Sequence, residues 1–136
     1  MSPEIEELFR AAGAARARAH APYSGFRVGA AVRDEAGAVH AGCNVENAAY
    51  PVGTCAEAGA IAAIVAGGGR RIRAILVLGD GAALVTPCGA CRQRVREFAD
   101  DATQIVVAGP EGLRRSFGLD ELLPHSFGPE NLGGER

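Results

Sequence analysis

Lysine and tryptophan are both missing from this 136-residue chain, methionine occurs once, and aromatic residues make up only 5%. The 14 basic residues are therefore all arginine, set against 16 acidic ones for a net charge of −2. That balance lacks the basic patch that nucleic-acid binding rewards, so nucleic acid is not an expected partner. No run approaches the roughly 18 apolar residues of a membrane span, so no membrane association is expected either. The first residues, MSPEIEELF, are acidic where a signal peptide is basic, and a mature, soluble, cytoplasmic chain is expected. The absence of lysine, beside many Ala and Gly, reads as a compositional habit and not as function. What is present is ordinary globular composition, with 48% hydrophobic and 22% charged residues. The length suits one domain, residues 1–136, able to bury about two thirds of its unfolded surface.

Ser2 and Pro3 make a helix start, and Ile5, Leu8, Phe9 and Ala12 follow at helical spacing, which predicts a packing helix to about His20. Phe26 to Val32 and Val39 to Val45 flank a turn signal at Asp34–Gly37 and predict a hairpin. A helix is predicted from Thr54 to about Ala66, a buried strand from Ile72 to Leu78, and a second helix from Pro87 to about Ala99. Gln104 to Ala108 and Leu113 to Phe117 read as strands, and Asp120 to Leu123 as a short turn or helix. Strands alternating with helices after a hairpin predict an α/β layered domain with a mixed sheet.

Four cysteines remain, Cys43, Cys55, Cys88 and Cys91, and a reducing compartment argues against structural disulfides. Cys88 and Cys91 share one face of a helix in its first turn, where exposed N–H groups favour thiolates. A redox pair has the same spacing. Cys55 opens another predicted helix, so three thiolates can meet one tetrahedral zinc and leave its fourth position open, as in catalytic sites. Glu57, two residues after Cys55, is placed to move protons near that metal. Thr54-x-x-Glu57 equally fits a capping box. Cys43 reads as a small buried hydrophobe; as a fourth ligand it would make the site closed and structural. His20, His40 and His125 read as surface residues, and the Arg70–Arg73 and Arg92–Arg96 stretches as solvated faces or subunit contacts.

Cys55-Ala56-Glu57 with Pro87-Cys88-Gly89-Ala90-Cys91-Arg92-Gln93 resembles the small, free-nucleoside cytidine deaminases. The resemblance extends to the segments Ala21–Ala31 and Gly42–Tyr50, to Leu122-Leu123-Pro124 and to Ser126-Phe127. It implies a three-layer α/β/α cytidine-deaminase-like domain, with a mixed five-stranded sheet and helices on both faces. It implies one Zn²⁺ per chain on Cys55, Cys88 and Cys91, with a zinc-activated water attacking C4 of the cytosine ring and Glu57 shuttling protons. Ala56 would meet the base O2 through its N–H, and the Thr86 carbonyl would face the departing amine. Asn44 and Glu46 would bind ribose hydroxyls, and Phe26 would pack on the nucleoside. Phe127 would reach a neighbouring subunit's site in a homotetramer. The products would be uridine or deoxyuridine and ammonia, as in pyrimidine salvage.

Side-chain chemistry agrees with the ribose assignment, because Asn44 and Glu46 point to the same side if extended. Few aromatics and a negative charge favour a free nucleoside over a polymer, which needs stacking platforms in a basic channel. A modified cytosine nucleoside such as blasticidin S is the nearest alternative substrate. One departure stands out: three-cysteine members commonly carry arginine directly after the Glu, where this chain has Ala58. Arg92, adjacent to Cys91, is the first candidate to offset the thiolate charge.

Overall fold

The computed structural model describes residues 1–134. Helix α1 (Pro3–Arg16) starts where Ser2 accepts the Ile5 N–H, with Glu4 and Glu6 in its positive first turn. It ends four residues short of the predicted His20. The His20 N–H and carbonyl are used by the Asn44 carbonyl and the Glu46 N–H, so the chain leaves the helix to form a bridge.

Strands β1 (Val28–Asp34) and β2 (Val39–Cys43) form the predicted hairpin. Helix α2 (Ala56–Ala66) begins two residues later than predicted, because Thr54 is held in an antiparallel bridge to Val45. Strand β3 (Ile72–Gly79), helix α3 (Gly89–Phe98) and strands β4 (Gln104–Gly109) and β5 (Gly112–Gly118) follow. A short helix α4 (Leu119–Leu122) comes next. Two 3-10 turns, Tyr50–Val52 and Pro129–Leu132, were not expected.

The sheet is mixed and five-stranded in the order β2-β1-β3-β4-β5, with only β3 and β4 parallel. That parallel pair needs a crossover, which α3 supplies. Side chains alternate between the faces. Leu76, Leu78, Val106 and Ala108 meet Leu8 and Ala12 of α1 on one side. Ile75, Val77, Ile105 and Val107 meet Ile64 of α2 and Val95 of α3 on the other. The layers are thus α1, sheet, and α2 with α3, as the resemblance implied. Each fully buried aliphatic side chain in this core contributes about 1.5–3 kcal/mol.

Gly42 sets the depth at which α2 lies. A Cβ there would fall 2.5 Å from the Ala60 N and 2.7 Å from the Ala56 carbonyl. The absent side chain lets the first turn of α2 rest on the β2 backbone, and that turn carries Cys55 and Glu57.

Asp34 organises the β1–β2 turn. Its Oδ1 accepts the Ala36 and Ala38 N–H groups, both at 2.9 Å, and its Oδ2 lies 3.0 Å from His40 Nε2. His40 is therefore half-buried against a carboxylate and not a free surface residue. The His40 bond, more than offsetting burial, holds the Asp34 carboxyl below its ordinary value. Asp34 thus stabilises the fold fully above about pH 4, and the contribution fades as pH falls through the lower folded value. D34N is expected to lose about 1 kcal/mol at pH 7. Thermal melts against pH should show the gap closing only below about pH 4.

Candidate active site

The site is assembled where two helices begin. The segment after β2 is tied on both sides: the Glu46 N–H donates to the His20 carbonyl at 2.8 Å, and the Val45 N–H to the Thr54 carbonyl at 3.0 Å. This pairing delivers Cys55, the N-cap of α2, beside Cys88, the N-cap of α3. Buried Pro87 precedes Cys88 and holds Thr86, the residue before it, in extended backbone on the approach to the cap. Cys91 follows in the first turn of α3 and is fully buried.

The three sulfurs lie within 4.8 Å of one another, and Cys55 Sγ and Cys88 Sγ are 3.9 Å apart. Thiolates on one tetrahedral zinc, at about 2.3 Å from the metal, sit about 3.8 Å apart, so the donor set fits this ion. Its electrostatics fit as well. Burial first, then the Glu57, Cys55 and Cys88 charges, push the Cys91 thiol up. Burial likewise raises Cys55. Burial also raises Cys88, but the Cys91 N–H and the neighbouring thiols more than offset it and leave Cys88 below the ordinary value. Crowded thiols with unfavourable charges are relieved by a dication, which takes the place of their protons. Two helix N-termini pointing at the cluster favour the same anionic state.

Cys43 stands outside the cluster, opposite Gly29 on the β1–β2 ladder. Among the described residues the cluster has three protein donors and not four. The closed structural site considered from the sequence is therefore not formed. All four cysteines are free thiols, and Cys88 and Cys91 share their cluster with Cys55 instead of standing as an isolated pair.

Glu57 is 4% exposed in the first turn of α2. Burial pushes its carboxyl up, only partly countered by its own N–H, by Cys91 and by Arg94. The capping-box reading fails, because Cys55 and not Thr54 caps α2 and no side-chain cap bond forms. The acid is left to face a cavity of about 550 Å³, within the usual size for a small-molecule pocket. Cys55, Cys88, Ala56, Thr86, Asn44 and Glu46 share that cavity with Glu57.

Asn44 and Glu46 also brace the wall. Asn44 Nδ2 donates to the Phe26 carbonyl at 2.8 Å, and its Oδ1 accepts the Val28 N–H at 2.9 Å. Glu46 accepts the Tyr23 and Ser24 N–H groups and the Ser24 hydroxyl. Each retains spare hydrogen-bonding capacity toward the cavity. Phe26 and Phe127 lie outside the lining, 39% and 59% exposed. Gln93 donates to the Phe127 carbonyl at 2.8 Å, and buried Arg96 holds Ser126 and Glu130 on either side of it. The Arg92–Arg96 stretch is thus partly structural.

The sequence gives Tyr23 and Tyr50 no individual role and places Arg94 only in a stretch of solvated faces or subunit contacts. Tyr23 and Tyr50 line the cavity, with ring centroids 5.7 Å apart and largely exposed. Arg94 donates to Cys91 Sγ at 3.2 Å. Its spacing of three from Cys91 on a helix was the available signal. Arg92, the expected counter-charge, is spent instead on the Pro87 and Leu122 carbonyls, both at 2.7 Å, and on the Thr86 hydroxyl at 3.1 Å.

A layered α/β domain that sets three thiolates and a buried acid at two helix N-termini is of the zinc-dependent deaminase class. The model of the "Cytidine and deoxycytidylate deaminase zinc-binding region" matches residues 2–108. A cytidine deaminase from Sporosarcina psychrophila is 38% identical over 129 residues, covering 95% of each chain. The crystal structure of the Burkholderia pseudomallei cytidine deaminase is 41% identical, with a TM-score of 0.85, over 93% of this chain and 100% of that one. The Mycobacterium tuberculosis enzyme structure is 37% identical, with a TM-score of 0.78, over 93% and 99%. The chain belongs to the cytidine and deoxycytidylate deaminase family and is a zinc-binding deaminase.

Proposed function

We propose that residues 1–136 form one deaminase domain that hydrolyses cytidine and 2′-deoxycytidine to uridine and deoxyuridine, releasing ammonia. The observation that carries this reading is a buried Glu57 beside the three-thiol cluster, in a cavity whose wall carries Asn44 and Glu46. Bound zinc supplies the Lewis acidity that activates water beside the base. Cys55, Cys88 and Cys91 hold it, and every further role falls to the protein. Glu57 takes a proton from the attacking water and gives it to N3, then passes the second proton to the departing amine. One water is consumed and the amine leaves as ammonia, so the balance closes. Burial raises the proton affinity of Glu57, which suits it to take a proton up and to give it back.

The Ala56 N–H, in the first turn of α2 where N–H groups have no partner within the helix, meets the base O2. The Thr86 carbonyl faces the amine, on an extended segment that Arg92 ties down through the Pro87 carbonyl and the Thr86 hydroxyl. Asn44 and Glu46 take the ribose hydroxyls, with their ties to residues 23–28 keeping them in place. Phe26 packs on the nucleoside, and Phe127 of a neighbouring copy closes the site in a homotetramer. Exposed Tyr50, Val52, Phe127 and Leu132 supply the apolar surface that such an assembly needs. Among the described residues no helix is long and apolar enough to cross a membrane.

The test offers the zinc-loaded protein cytidine, 2′-deoxycytidine, blasticidin S and a cytosine-containing single-stranded oligonucleotide side by side. Ultraviolet loss with matching ammonia is expected for the two nucleosides alone. Turnover confined to blasticidin S or to the oligonucleotide would overturn the reading.

A further inference from the structure

Three thiolates around a dication sum to −1, and Glu57 stands beside them. Cys91 is the most deeply placed of the three, fully buried and closed off from bulk solvent. No cation comes from the first turn of α2, where Ala58 follows Glu57. Three arginines lie along α3, and two are committed elsewhere. Arg92 ties Thr86 and Pro87 to Leu122 at the end of α4, and Arg96 anchors the C-terminal segment through Ser126 and Glu130. Arg94 lies one helical turn after Cys91 on the same side of the helix. Its Nη1 donates to Cys91 Sγ at 3.2 Å.

We propose that Arg94 is the positioning residue of the metal centre, neutralising the Cys91 thiolate and fixing the direction in which that sulfur faces zinc. A guanidinium suits the task because it is always charged and its planar fork is preorganised. It withdraws electron density from the sulfur through a charge-assisted hydrogen bond and holds that sulfur in one direction. Partners behind a metal ligand are commonly worth 10–100-fold in affinity. Arg94 keeps an exposed side chain, so solvent screening holds its effect to the lower end, about tenfold.

The proposal rests on the three cysteines as zinc ligands, which the zinc stoichiometry of the unmodified protein tests separately. The experiment compares R94M, R94K and R92M with that protein. It measures zinc affinity by chelator competition at one fixed pH, and the cobalt–thiolate charge-transfer band after cobalt replaces zinc. R94M is expected to bind zinc about tenfold more weakly. Its cobalt band should move to longer wavelength, because a thiolate freed of its donor gives up electrons more readily. R94K should recover most of the affinity. R92M should lose thermal stability with the cobalt band unmoved. Unchanged affinity and band in R94M, an equal band shift in R92M, or R94K as weak as R94M would each overturn the proposal. Failure of the unmodified protein to hold one zinc per chain would instead sink the ligand assignment beneath it.

Discussion

Replacing Glu57 by glutamine is expected to leave zinc content and melting temperature close to those of the unmodified protein while turnover falls by about 10²–10⁴, the usual worth of a positioned proton-transfer group. The side chain is 4% exposed at the start of α2, and its environment raises its proton affinity. Glutamine has nearly the same shape and removes a buried ionisable group, so the fold loses little. What glutamine cannot do is accept the proton of the attacking water. Both proton transfers then fail together, and the loss should appear in kcat more than in KM. Zinc analysis, melting and single-substrate kinetics on one preparation check all three points. Turnover within tenfold of the unmodified protein would remove Glu57 from the mechanism.

The second large effect concerns the metal and the fold together. C91S is expected to bring zinc well below one per chain and to lower the melting temperature by about 10 °C or more. Cys91 is the buried member of the cluster and brings its sulfur from the first turn of α3 to that of Cys55 at the start of α2. Serine there is a poor zinc ligand and a hydroxyl without its metal partner in a buried position. The two helix N-termini then lose the ion that draws them together. C43S is the internal control, because Cys43 lies on the β1–β2 ladder away from the cluster, and zinc should stay at one per chain. Full zinc in C91S, or loss of zinc in C43S, would contradict the assignment of ligands.

Much of this was legible in the residues. The five strands and the two helices that carry the cysteines follow from apolar runs and helical spacing, and Cys55, Cys88 and Cys91 could be grouped from their places at helix starts. What local patterns missed was decided by distant partners. The end of α1 is set by His20 bridging to Val45, and the start of α2 by Thr54 bridging to the same residue. Neither bridge leaves a trace in nearby sequence, and Thr54-x-x-Glu57 looked like a cap for that reason. Arg92 adjoins Cys91 in sequence, but helical periodicity and not adjacency decides which side chain reaches the sulfur. Residue 92 turns away toward α4, while residue 94 lies over the sulfur. Arg96 belongs to a stretch whose sequence suggests a solvated face or a subunit contact, and its burial depends on the C-terminal segment folding back across α3.

The most direct measurement of the central claim is ammonia release from cytidine as a function of bound zinc. Chelated protein is titrated with zinc, and absorbance loss and ammonia are followed together. Activity should rise from near zero in proportion to bound metal and level off at one zinc per chain. Deamination that persists in the chelated protein, or none at one zinc per chain, would contradict a three-cysteine zinc deaminase acting on the free nucleoside.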